Sequence, residues 1–385
     1  MEYDHRWTVC VASVSHTVPD GLRHEMAVSR ATAAEDRGLI QLPGWRVPST
    51  GGRLADCSLI IPTYRRPTEV VALLYALLAL PDSPGEVVVV DGSPDRRTEA
   101  ALQPLQAQPL PFDLVYVASP SGLTRQRNVG IDVSRGTFVF FLDDDCVPYP
   151  GYFRAVRQVF LQDKAAKIGA VTGFITNEAT ARPSVRWRLR RAFGLAPRVE
   201  PGMYDPSGTS VPRRLATPFE GVRGVDILAG CTMCFRRSVL ERHRFSEFFA
   251  GYSQGEDLEL SLRVRRQWQI VWCADARVHH DQSRSGRPDA ARKGYMEVRN
   301  RCFIRGRYSR DASAQDDLRF WLDMGFLIMI DLAALCRRPW RGQRLLHALG
   351  VARGVTHCLV APPRYEEPAP RRQYELYPTA DFDVA

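Results

Sequence analysis

Four short apolar runs, each ending in a turn or an acidic cluster and separated by helical patterns, constrain this chain more than any other feature. Ser58-Leu59-Ile60-Ile61-Pro62 is closed by proline, as a buried strand is. Glu86 leads a run of valines to Val90 that stops at the turn cluster Asp91-Gly92-Ser93-Pro94. Leu114–Ala118 reads as a third strand, and Thr137–Leu142 as a fourth that runs straight into Asp143-Asp144-Asp145. Between them, Thr68–Leu80, Arg96–Gln103 and Thr124–Val133 carry helical spacing. This alternation predicts an α/β fold with a mostly parallel central sheet and helices on both faces. In such sheets ligands bind at the carboxyl ends of the strands. Pro62-Thr63-Tyr64, Asp91 and Asp143–Asp145 all fall at such ends.

The remainder is less regular. Residues 1–55 read as an accessory segment, with a short strand at Trp7–Val14, a helix at Glu25–Arg37 and a linker at Pro48–Gly52. Arg182–Arg191 is basic around Trp187, and 195–222 is rich in Pro and Gly. Order returns in the strand-like run Val225–Phe235, the helix Glu256–Arg266, the strand Ile270–Ala274 and the helix Ala290–Arg307. Phe320–Cys336 is strongly apolar, but Asp323 and Asp331 would be costly in hydrocarbon, so a buried or amphipathic helix is expected. Trp321, Trp340 and the arginines at 337, 338, 341 and 344 suit peripheral contact with an anionic membrane face. No signal peptide or bilayer-spanning run is read, which gives a cytoplasmic expectation. The net charge of +9 favours an anionic partner, but no nucleic-acid recognition motif accompanies it, and no nucleic acid is expected. Nine scattered cysteines argue for a reducing compartment. Cys231-x-x-Cys234 has no second pair for a zinc site and reads as two small core residues on a strand.

Three adjacent carboxylates at a strand end repel one another, and a cation makes the arrangement tolerable. Asp143 and Asp145 share one face of an extended chain, with Asp144 on the other. Mg2+ or Mn2+ accepts such oxygens together with those of a diphosphate. Asp91 suits a base N–H or a ribose hydroxyl, or else closes an Asx turn. Tyr64 suits stacking on a nucleobase, or packing over the sheet edge. Arg125 and Arg127 follow Gly122 at a helix start, a setting that favours phosphate. Gly255-Glu256-Asp257 opens a helix, where the macrodipole holds a carboxylate ionised as a general base requires, or where it simply caps. Of His279 and His280, at most one is expected to bind metal, since neighbouring side chains diverge on extended backbone.

In this order, the segments Ser58–Pro67, Glu86–Ser93, Arg127–Ile131, Phe141–Asp145 and Gly255–Leu260 resemble the inverting, GT-A-fold glycosyltransferases of family 2, over about 57–310. The resemblance implies that Pro62, Tyr64 and Asp91 hold the nucleoside of a nucleotide-diphosphate sugar. Asp143 and Asp145 would form the Asp-x-Asp element that reaches ribose and metal, with Asp145 the direct ligand of Mn2+ or Mg2+. Asp257, beside Glu256, would deprotonate the acceptor hydroxyl, and His279 or His280 would complete the metal shell. Arg127 and Asp144 are counted with the donor-binding residues. Residues 56–150 would form the nucleotide-binding half, 151–310 the acceptor half and 311–385 a helical region and tail. The acceptor, whether glycan, lipid-linked or small molecule, stays open. The second strand ends in Asp-Gly-Ser, where many relatives have Asp-Asp-Gly-Ser. Arg266-Gln267-Trp268 is not the Gln-x-x-Arg-Trp of processive synthases, which favours addition of a single sugar. Two alternatives stand beside this. A sugar-phosphate nucleotidyltransferase would need a glycine-rich loop where Thr63–Pro67 has none. A non-catalytic sugar-nucleotide-binding protein would not need the intact Asp-x-Asp and Glu-Asp.

Overall fold

The computed structural model describes residues 51–178, 183–283, 288–309, 312–337 and 342–364. The expectations for 1–50, the strand and helix among them, lie outside the described residues. The first strand, β1 (Gly52–Thr63), begins inside the segment read as accessory, so 52–55 belong to the sheet. It pairs in parallel with β2 (Asp82–Asp91), and β2 with β3 (Asp113–Ala118). On its other side lies β4 (Phe138–Leu142), also parallel. Helices α1 (Pro67–Leu78), α2 (Arg97–Gln106) and α3 (Leu123–Val133) make the crossovers. The register sets Thr63 opposite Asp91, so two of the loaded strand ends lie side by side.

The sheet continues with β5 (Cys146–Pro148), β6 (Ile168–Ile175), β9 (Val222–Val225), β10 (Thr232–Arg236) and β11 (Gln269–His280). Its order is β3-β2-β1-β4-β10-β6-β11-β5, with β9 alongside β11. Strand β10 enters antiparallel between β4 and β6. Between β6 and β9, β7 (Tyr204–Asp205) and β8 (Thr209–Ser210) form a separate small hairpin. The run Val225–Phe235 is therefore two strands, not one. It is broken by a tight turn, Ala229 to Thr232, because β9 pairs with β11 while β10 is drawn to β4. Strand β11 also outruns its expected end by six residues and carries both histidines.

Both faces of the sheet are covered. Leu59, Ile61, Val87 and Val89 face Val70, Leu73 and Leu77 of α1, with Leu102 of α2 and Phe153, Val156 and Phe160 of α4 (Tyr152–Gln162). Ile60, Val88 and Val90 alternate to the other face, where they meet Val129 and Ile131 of α3. Also on that face are Val239 and Leu240 of α6 (Arg237–Arg242) and Leu260 and Val264 of α7 (Glu256–Val264). The basic stretch forms α5 (Val185–Ala192), capped by the Ser184 hydroxyl accepting from the Trp187 N–H.

A helical layer ends the chain: α8 (Ala290–Tyr308), α9 (Ala314–Arg337) and α10 (Gly342–Val360). The backbones of α8 and α10 approach so closely that a Cβ at Gly350 would sit 2.0 Å from the Ala291 carbonyl oxygen. The two aspartates of α9 are buried and paired. Asp323 binds Arg190 and Arg301, and Asp331 binds Arg344 and His347. Phe320, Met324 and Leu327 point into the core, whereas Leu318, Leu322, Met329 and Leu332 form an exposed stripe. Among the described residues no helix is long and apolar enough to cross a membrane.

Candidate active site

The ends of β1, β2 and β4 are tied together by side chains that local pattern does not reveal. Gln126, one turn into α3, donates to the carbonyls of Thr63 (2.6 Å) and Val90 (2.9 Å) and so clamps β1 to β2. Asp144 accepts from the Thr63 hydroxyl at 2.7 Å and from Arg66 Nη1 at 2.8 Å, which ties β4 to β1. Burial pushes the Asp144 carboxyl up to about 7, against those two donors. Both oxygens of this middle carboxylate thus serve the chain itself.

The triplet is not the extended chain expected: it turns, with the Cys146 N–H donating to the Asp143 carbonyl at 3.0 Å, and the turn brings oxygens of Asp143 and Asp145 together. Asp143 Oδ1 accepts from Arg127 Nη2 at 3.0 Å, and burial raises its carboxyl above the ordinary range despite that cation. Asp145 Oδ1 lies 3.3 Å from His280 Nε2, and its Oδ2 accepts from the Ser283 N–H at 2.8 Å. Burial would raise Asp145, but the His280 bond and charge, Ser283 and Arg66 together hold it low. His280 is disfavoured as a cation by burial, yet the Asp145 carboxylate and the nearby Cys231 sulfur lift it to about 11. Asp143, Asp145 and His280 offer ligand atoms within 4.8 Å of one another. His280 Nδ1 is buried and has no hydrogen-bond partner among the described residues. Two carboxylates and an imidazole in this arrangement fit a hard divalent cation. His279 points elsewhere, its Nε2 3.1 Å from Asp281, with the side chain 42% exposed.

The link to the second half is Arg127, whose side chain is 1% exposed. Expected at a donor phosphate, it instead binds Asp143 with one terminal nitrogen and Glu256 Oε1 with the other, at 2.9 Å. It also donates to the Gly230 carbonyl at 2.8 Å and lies over the Phe245 ring. Burial and the neighbouring Asp257 push Glu256 up to about 7, against Arg127. Asp257 is only partly buried, on the first turn of α7. Its Oδ2 accepts from the Gly230 N–H at 2.9 Å and its Oδ1 from the Leu258 N–H at 2.8 Å. Gly230 is the close approach that permits this, since a Cβ there would lie 3.0 Å from Asp257 Oδ2.

At the far end of the row, Asp91 is buried and closes a turn. Its Oδ1 takes the Ser93 N–H and hydroxyl, and its Oδ2 the Tyr116 hydroxyl at 3.2 Å. Pro62 is buried in β1 beside it, and Tyr64 stands at the rim, 37% exposed, with the Arg65 guanidinium over its ring. Residues 58–244 match the sequence model of glycosyl transferase family 2. The chain carries a family 2 glycosyltransferase domain.

The matched span of this glycosyltransferase domain runs from Ser58, within β1, past the end of β10 and includes the acidic triplet. A Haemophilus influenzae protein named as an uncharacterized glycosyltransferase is 34% identical over 106 residues, 28% of this chain and 35% of that protein. The Rhizobium meliloti succinoglycan biosynthesis protein ExoM is 38% identical over 87 residues, 22% of this chain and 28% of its own length. The chain spans about a third of the length of these curated relatives. Among solved structures, a mannosyltransferase from Pyrobaculum calidifontis in complex with GDP-Man and Mn2+ matches 79% of this chain and 87% of that one. Its TM-score is 0.46 and its identity 17%.

Proposed function

We propose that this glycosyltransferase moves one sugar from a nucleotide-diphosphate donor to an acceptor hydroxyl, with inversion, using Mn2+ or Mg2+. The observation that carries the reading is Arg127. A single buried guanidinium couples the Asp143–Asp145–His280 cluster to the helix start that bears Asp257. Donor diphosphate and acceptor hydroxyl would then meet across that bridge.

The division of labour follows from exposure. Asp257 keeps a free lone pair on each oxygen after its two backbone bonds and stands partly open, so it takes the acceptor proton. Glu256 is buried against Arg127 and acts by positioning it. As the acceptor oxygen bonds to the anomeric carbon, the bond to the diphosphate breaks on the opposite face. A divalent cation on Asp143, Asp145 and His280 would neutralise charge gathering on the leaving diphosphate. Tyr64 offers a ring to the base at the rim, and Pro62 and Asp91 shape the nucleoside floor.

Nucleotide release from UDP-, GDP- and dTDP-sugars, measured with Mg2+, Mn2+ or chelator, tests the reading. Release from at least one donor that stops on chelation is expected. Release of pyrophosphate from a nucleoside triphosphate and a sugar phosphate would point instead to a nucleotidyltransferase.

The exposed stripe on α9 supports a place for the reaction. Leu318, Leu322, Met329 and Leu332 fall within one narrow arc, and Arg344 lies exposed on the adjoining α10. An exposed apolar stripe with an arginine beside it, itself paired to Asp331, suits the surface of an anionic membrane.

A further inference from the structure

Cys146 and Cys231 are buried free thiols, and their sulfurs lie within 4.8 Å of each other and of a ring nitrogen of His280. The sheet creates this grouping. Strand β5 pairs Cys146 with His280 across from β11, and the turn before β10 brings in Cys231, whose carbonyl accepts from the Asp143 N–H. Cys234, three residues on, is outside the group, so the Cys-x-x-Cys spacing is incidental. Two sulfurs and an imidazole within this reach of one another offer three of the four ligands that a thiophilic ion takes. Thiolates select such ions, whereas the carboxylates beyond His280 select hard ones. His280 belongs to both sets.

We propose that Cys146, Cys231 and His280 form a site for a thiophilic divalent cation of the zinc and cadmium class. Its occupation withdraws His280 from the carboxylate set and inhibits transfer. Binding displaces the two thiol protons to solvent, and the fourth position stays open to water or to a neighbouring carboxylate. Only the inhibition rests on the function proposed above; the binding does not.

Titration of the reduced full chain with Co2+ tests the binding directly. A thiolate-to-cobalt charge-transfer band is expected in the wild type and in C302S/C358S, and is lost in C146S and in C231S. Thermal unfolding confirms that each variant is folded, with C146A and C231A as replacements where serine is not tolerated. No band in the wild type, or a band that survives in C146S/C231S, overturns the site. For the second part, Zn2+ at equimolar protein should inhibit Mn2+-dependent nucleotide release at least tenfold more in the wild type than in C231S. Equal inhibition of the two overturns the competition for His280 while leaving the binding result to stand on the cobalt band. A chain with a cobalt band but no nucleotide release with any donor would count against the transferase reading alone.

Discussion

Two neighbouring histidines occupy different worlds, and the strand register decides which. His280 continues the inward series of Ala276 and Val278 in β11 and reaches Asp145, while His279 turns out to Asp281. His280→Ala should therefore weaken Mn2+ binding by at least about tenfold, and His279→Ala should leave it unchanged, as read by electron paramagnetic resonance titration. The reverse ranking would contradict the metal reading. The sequence held part of this, the local alternation Ala276, Val278, His280, but not the face it joins, because a register shift between Trp272 and Arg277 moves that series to the face of Val271 and Cys273. Arg127 carried no such signal. Its partners at positions 143, 230 and 256 come from elements that meet only once β10 lies against β4.

At the scale of elements, the site depends on how closely the turn before β10 approaches α7. Gly230→Ala must push the Asp257 carboxylate aside by a few tenths of an ångström. A turnover loss of up to about 100-fold in a normally melting protein is expected. A variant with unchanged kcat would detach the turn from the base. The docking of α10 offers a pH test. His347 Nδ1 bonds Asp331 at 2.5 Å, its Nε2 lies 3.5 Å from Glu297, and these partners raise it from 6.5 to about 9. Because its folded pKa is raised, this stabilisation is complete below about pH 6.5 and fades as pH climbs through 9. Glu297 is held down to about 2 by His347, Arg186 and Arg301 in spite of its burial, so its share fades only in strong acid. His347→Ala should cost about 1–3 kcal/mol at pH 6 and less at pH 10, read by denaturant melts. An equal cost at both pH values would contradict the ion pair. The strands ending at Thr63, Asp91 and Leu142 were legible because apolar runs and turn residues mark them locally. The turn at Gly230 was not, because it lies inside a continuous apolar run and only strand pairing breaks it.

For the whole molecule, one sheet gathers residues from 62 to 280 along a single line of strand ends, and a helical layer leaves an apolar stripe outside. If that stripe meets lipid, Leu318→Glu/Leu322→Glu should abolish flotation with vesicles rich in anionic lipid while donor turnover persists. Flotation equal to the wild type would remove the membrane from the account. Much of the architecture was readable because strand and helix alternate at regular spacing; the clamps of Gln126 and Asp144 were not, since they join residues 36 to 81 positions apart. The central claim, that Asp257 serves chemistry while the Asp143–Asp145–His280 set serves donor and metal, is tested most directly by Asp257→Asn. Donor affinity with Mn2+ by calorimetry should match the wild type, and turnover should fall on the order of 100- to 10,000-fold. Near-normal turnover, or lost donor binding in a folded protein, would contradict it.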